Sequence, residues 1–480
     1  GLILGNVTGE LTFTDLDIFN DAGIGLGVLS TGALNAGAGT GFRIAVGVGV
    51  ATIDSNAGPG VSITGSSVSL PLGFYRSTNS TTTGLNLVNA FGGVASTAFG
   101  AAAGSISDPV GASGVAVNID GGNGNITVGI PVTNNSGNAV VVTNRTGDLV
   151  SFAAAINETG SGLTHTNNTG ATISYSGGIT ASTGANTAFN ATGGGTIGVT
   201  GTNTLTTTTG TALNFANTTI GGVGLNFRSI SSNGGTNGIV LNATGTTGGL
   251  TVTGSGNGTQ GGDNSGGTIQ ATTDDAIRLT STHSPSFTNL RIQNGGARGI
   301  DGTNLTGSGL FRAGTITGMG TGGGADRNGI SIINTDTDMT LFTVENSLFS
   351  NSDSGTSFIF TSARGTSDMS VTVTGSDFSD LVALAVQVNA GDSETGVHTV
   401  NATITNNVFR NASPADGQGG VAVACADQDA TMNFDISNNQ FYDLIKGIAG
   451  GNSEIVLAQV TGGDLNGTFA SNTLGTSAFG

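Results

Sequence analysis

The densest grouping of acid and base side chains in this sequence runs from Asp274 to Asp301. Asp274, Asp275 and Arg278 share the segment DDAIR, and Arg291, Arg298 and Asp301 follow soon after. A general acid and a general base held close together are what cleavage of a glycosidic link requires. The spacing supplies that chemistry only if successive turns of the chain lay these residues side by side. The competing reading is a set of solvated side chains beside corners.

Carboxylates also recur in close sets. Asp15, Asp17 and Asp21 lie in TFTDLDIFNDAG, Asp336 and Asp338 flank Thr337, and Asp427 and Asp429 flank Gln428. Residues two apart in a strand share a face, so these are candidate ligands for calcium, the one cofactor the sequence suggests. The plainer role of such acids is to keep a surface soluble. The segment DGGNGNI at 120–126 looks like half of a calcium-binding nonapeptide, but it occurs once and that motif comes in arrays. His165, His283 and His398 match no metal spacing and are expected at the surface, and Cys425 adds no zinc pattern. Cys425, within VAVACAD, is expected as a small buried hydrophobe. The Gly-rich stretches contain no phosphate-loop motif, and the lone lysine, Lys446, lies elsewhere.

These residues must be positioned by something, and the chain is organised by repeats. One pattern alternates apolar and polar residues after a turn pair: TGLNLVNA at 83–90, SGVAVNID at 113–120, NAVVVTNR at 138–145, DAIRLTST at 275–282 and NGISIINT at 328–335. The period of two marks strands with one face in and one out. Gly, Asn or Asp precedes each, as a left-handed corner demands. One such unit is too short to bury its own apolar face, and stacking it on a copy solves the problem.

A second pattern sharpens the register: TLFTVENSLFS at 340–350, SVTVTGSDFSD at 370–380, ATITNNVFRN at 402–411 and FDISNNQFYD at 434–443. Phe349, Phe378, Phe409 and Phe441 recur at nearly constant spacing, and Leu474 continues the series. The spacing predicts an inward column of stacked side chains, with Asn at the corners forming amide ladders.

This arrangement resembles the right-handed parallel β-helix proteins: autotransporter and filamentous-haemagglutinin-like adhesin passengers, pectate-lyase-like enzymes and phage tailspikes. The resemblance spans nearly the whole chain and is architectural. It implies an all-β solenoid of roughly 15–17 coils, each of about 25–32 residues, forming a single continuous body over residues 1–480. Residues 1–200 are richer in Gly, Ala and Thr and are expected to form less regular coils. Residues 201–480 are expected to be more regular, with loop insertions near 254–268 and 318–329, and 92–112 reads as another loop. At the usual strand spacing the rod would be roughly 75–80 Å long. The enzymes of this fold use Asp clusters, with calcium and an Arg or Lys base in the lyases. By that analogy Asp274, Asp275, Arg278 and Asp301 are the weak catalytic candidates.

Composition decides between the classes the fold allows. Of 480 residues 86 are Gly and only 6 Pro, without the period of collagen. One Cys excludes a disulfide scaffold, and no apolar run is long enough for a membrane span. A net charge of -18 excludes a nucleic-acid partner. Charged residues make up 9%, leaving few groups for chemistry, and the absence of Trp removes the usual platform for sugar rings. The expectation is therefore an extracellular or cell-surface structural or adhesive protein rather than an enzyme. A host surface or polysaccharide is the expected partner, and a lyase, hydrolase or sugar-binding helix is the alternative. No signal-peptide pattern opens the sequence at Gly1. Open β-helix ends carry unpaired backbone groups, so Leu2, Ile3, Leu4 and Val7 form a candidate strand for head-to-tail assembly with a second copy.

Overall fold

The computed structural model describes residues 1–5, 10–29, 43–46, 48, 50–92, 97–107, 114–322, 327–351, 357–380, 384–391, 396–410, 420–442 and 456–475. Among these, strands are the regular elements, and every strand pairing between them is parallel. The chain forms two compact units: residues 1–207 with 212–227, and residues 208–211 with 228–480.

Each unit is a parallel β-helix, and the pattern of the sequence explains why. In MSVTVT, the strand Met369–Thr374, the apolar residues are buried and the Ser and Thr between them half-buried. A strand so short cannot cover its apolar row alone, so it lies on the equivalent strand of the next coil. Parallel strands need a crossover connection, and the other two sides of the coil provide it.

In the first unit one coil runs Val115–Asp120, Asn125–Val128 and Val132–Asn134 before Asn138–Thr143 lands on the first of these. The inner residues Val117, Val140, Leu163, Phe189 and Leu213 then stand in one register column, all fully buried. In the second unit the matching column is Ile277, Ile300, Ile330, Ile359, Val386 and Val421. The steps are short and nearly even in the first column; in the second they are uneven and, after Ile277 to Ile300, longer.

Corners bend the chain by left-handed residues. Asn346, Gly375, Asn406, Asn438 and Ser471 have φ of 50°, 62°, 58°, 57° and 56° at the same corner of successive coils. Asn tolerates this conformation better than other side chains, which is why it recurs here. Gly375 takes the one place where a Cβ would press on the Asn346 carboxamide oxygen.

Residues 92–112 correct the expectation of a loop. Thr97–Ala101 and Gly104–Ser107 are strands, and Ala98 and Phe99 are fully buried. Phe99 pairs in register with Leu70 and Ile126 and meets the edge of Tyr75 at 5.4 Å between ring centroids. The small residues that read as loop formers here are in part core residues, since Ala98 and Ala101 are buried beside Phe99. Residues 93–96 and 108–113 lie outside the described residues.

The insertion near 254–268 is tied to the coils that follow it. The Gly261 N–H donates to the Asn346 carbonyl at 2.8 Å, and Gln260 Nε2 to the Gly375 carbonyl at 2.8 Å. Of the insertion near 318–329, residues 323–326 lie outside the described residues. Gly320 and Gly322 donate to the carbonyls of Gly295 and Gly296 in the coil before.

Candidate functional site

The coil geometry brings the catalytic candidates of the second unit together. Asp274 and Asp275 form the corner that leads into the strand Ile277–Thr280. Arg278 points outward from that strand and stands in register beside Asp301 of the next coil. Arg278 Nη2 donates to Asp274 Oδ2 at 2.7 Å and to Asp275 Oδ2 at 2.9 Å. Arg298, at the following corner, donates from its backbone N–H to Asp275 Oδ1 at 3.1 Å and from Nη1 to Asp301 Oδ1 at 2.6 Å. Three carboxylates and two guanidinium groups thus form one paired cluster, with Asp275 almost fully buried. Burial raises the Asp301 carboxyl above its usual range, Arg298 pulls it back, and Asp275 raises it further. Arg291 does not join the cluster: it lies on another face, in the strand Arg291–Gln293, and donates to Gln293 Oε1 at 2.6 Å.

The carboxylate pairs fare differently from their expected shared faces. Asp336 and Asp338 occupy a corner rather than a strand, with Asp336 at φ 50°. Their oxygens cap the next coil: Asp336 Oδ1 accepts the Thr366 N–H at 3.0 Å, and Asp338 Oδ1 the Asp368 N–H at 2.9 Å. Asp427 and Asp429 also sit between strands, Val421–Cys425 and Thr431–Ser437, and one is buried while the other is exposed. The rule that residues two apart share a face holds only within an extended strand, and both pairs lie outside one. Asp15, Asp17 and Asp21 are all exposed, around the strand Asp17–Asn20. Among the described residues, no group of three or more His, Cys, Asp and Glu is placed to hold a metal ion.

The histidines overturn the expectation of surface placement. His165 and His398 are buried, and His283 is half-buried with Nδ1 3.1 Å from Thr306 Oγ1. Inward alternation on a strand placed His165, a signal visible in GLTHT. His398 Nδ1 donates to the Gly365 carbonyl at 2.9 Å, and Nε2 lies 3.9 Å from Asp427 Oδ2, both side chains fully enclosed. Cys425 is a buried free thiol whose Sγ lies 3.5 Å from the Ala430 carbonyl; burial pushes its pKa up, away from nucleophilic use.

Two buried ionisable side chains escaped the reading of the sequence. Arg145 is fully buried and donates to the carbonyls of Gly121 and Gly124 at 3.0 and 2.7 Å. Burial lowers its pKa to about 10. Glu158 is fully buried at the end of the strand Ile156–Glu158. The available signal was alignment of NETGSG with TNNSGN one coil earlier, which sets Glu158 over Asn134.

Ladders fill the second unit. Phe349, Phe378, Phe409 and Phe441 stack with successive centroids 4.8, 5.1 and 4.8 Å apart and planes within 16°. Leu474 is next in register and is exposed. Beside this column runs an amide ladder. Asn439 Oδ1 accepts the Asn407 N–H at 2.9 Å and Asn472 Oδ1 the Asn439 N–H at 2.9 Å. The Nδ2 groups of Asn407, Asn439 and Asn472 donate to the carbonyls of Val373, Ile404 and Ile436, each at 2.8 Å. In the first unit Leu2–Gly5 pairs with Leu26–Leu29, holding Leu2, Ile3 and Leu4 in a parallel ladder with Ile3 exposed. Val7 and Lys446 lie outside the described residues. Comparison with family models, curated proteins and solved structures finds no match to this chain.

Proposed function

We propose that this chain is a structural or adhesive surface module that works through its regular faces rather than through a catalytic centre. The observation that carries this reading is the pairing inside the Asp274–Asp301 cluster. Each of its carboxylates is paired with an arginine of the same cluster, which supports a structural role for these charges.

The outward columns supply the complementary argument. Ser370, Asn401 and Asn433 form one column, Thr372, Thr403 and Asp435 the next, and Thr374, Thr405 and Ser437 a third. This is a repeating lattice of donors and acceptors, neutral but for the Asp435 carboxylate, suited to a polysaccharide or another extended polar surface. Secretion and head-to-tail assembly through Leu2–Gly5 belong to the same reading.

The second reading, a polysaccharide lyase or hydrolase, draws on Asp301, an acid-like carboxyl beside Asp275. One experiment separates the two. Purified protein is incubated with neutral and acidic polysaccharides, with calcium and with chelator. Retention on a polysaccharide without new reducing ends or unsaturated products fits the first reading. Product that disappears in Asp275→Ala overturns it in favour of the second. Electron microscopy tests assembly, for which single particles at high concentration would be the adverse result.

A further inference from the structure

Glu158 occupies a position whose needs are visible one coil earlier. Asn134 sits beneath it in register. Asn134 Oδ1 accepts the N–H groups of Ser136 and Gly137 at 3.1 and 3.2 Å. Its Nδ2 donates to the carbonyls of Gly114 and Asn138 at 2.9 and 2.8 Å. The position therefore uses both acceptors and donors. Glu158 accepts the Gly160 N–H; the backbone N–H groups of Gly162, Ala139 and Ser161 also face the carboxyl and favour its charged form, but less than burial disfavours it, and Oε2 makes no close hydrogen bond. A carboxylate reproduces only the acceptor half; a neutral carboxylic acid supplies a donor as well.

Among the described residues, no counter-charge faces it. The flanking strands Val132–Asn134 and Ile179–Ser182 carry no titratable side chain, and neither does Asn138–Thr143. The strand that follows, Gly162–Thr166, carries His165. That imidazole is buried as well, with Nε2 2.9 Å from the Tyr175 hydroxyl and Nδ1 without a partner. Tyr175 and Phe189 meet its ring edge-on, at 5.7 and 5.3 Å between centroids. Tyr175 is the titratable group facing it, and burial raises its pKa so that it stays a neutral phenol. Arg145, past the end of Asn138–Thr143, spends its guanidinium on backbone carbonyls.

We propose that the first unit holds Glu158 as a neutral carboxylic acid and His165 as a neutral imidazole, so that folding takes up one proton, releases another, and leaves stability level across mildly acid pH. A buried charge without a partner is costly, and shedding the charge is the cheaper course. Burial pushes Glu158 from 4.5 up to about 7 and His165 from 6.5 down to about 3. The raised Glu158 contributes stability that is complete below 4.5 and is lost as pH rises through about 7. The lowered His165 has the opposite sign: its contribution is complete above 6.5 and is lost as pH falls towards about 3. Between 4.5 and 6.5 the two slopes cancel.

The test removes one arm at a time in the full chain. Melting temperature is followed from acid to neutral pH for the parent, Glu158→Gln and His165→Gln. Relative to the parent, Glu158→Gln should gain stability as pH rises from 4.5 to beyond about 7. His165→Gln should gain relative to the parent as pH falls from 6.5. Variants whose pH profiles run parallel to the parent overturn the proposal. Should either variant fail to fold, carbon-13 labelling of the five glutamates in the parent decides. One carboxyl titrating near neutrality supports the proposal, and five titrating in the ordinary range overturn it.

Discussion

A ladder in the second unit and two lone side chains in the first satisfy buried polar groups in different ways. In the second, Asn407, Asn439 and Asn472 are copies of one another, and each completes the bonding of the one before. In the first, His165 stands in register between Val142 and Ala191, and Glu158 between Asn134 and Ala181. Neither has a copy, so backbone groups or a hydroxyl must serve it. A repeated side chain brings its partner with it each time the coil is repeated. A solitary one needs a local arrangement built around it, and the loss of either member is not shared with neighbours.

That contrast sets an order of expected effects. Arg145→Ala should cost the most, about 4 kcal/mol, because two buried carbonyls lose their donor and a cavity opens. Amide exchange across Gly121–Gly147 reads the loss, and a cost under about 1 kcal/mol would break the contrast. Asn439→Ala should follow at about 3 kcal/mol, orphaning the Ile404 carbonyl and the Asn407 N–H, as measured by urea unfolding. Its sharper form is the double variant with Asn407→Ala, which should cost less than the sum because the two share one ladder. Phe409→Leu should cost about 1 kcal/mol, since leucine fills much of the volume but ends the ring stack. Arg410→Gln should change stability by at most about 0.5 kcal/mol, for its bonds to Asp377 at 3.0 and 2.9 Å are exposed.

What repeats was legible in the sequence, and what occurs once was not. The phenylalanine column showed itself through recurrence: four rings at even spacing must meet if coils stack. The cluster from Asp274 to Asp301 was also legible, since one coil separates its halves, but its internal pairing was not. Which oxygen meets which guanidinium depends on corner geometry that spacing does not encode. Corners hid the placement of the paired aspartates for the same reason: Asp336 and Asp427 look like strand residues until the chain turns at them. Burial of Arg145, Glu158 and His398 ran against residue type, and a single ionisable side chain leaves no period to detect. The stretch around Phe99 was missed because alanine and glycine suit loops and narrow cores equally.

The uneven spacing of the second unit bears on how the chain finds its register while folding. A column of near-identical rings and amides fits almost as well when one coil slips onto the wrong neighbour. The first-strand steps Ile300 to Ile330, Ile359 to Val386 and Val386 to Val421 all differ in length. A slipped pairing must then stretch one connection or leave slack in another. Connections of unequal length thus act as a key, distinguishing otherwise interchangeable coils before the ladders lock.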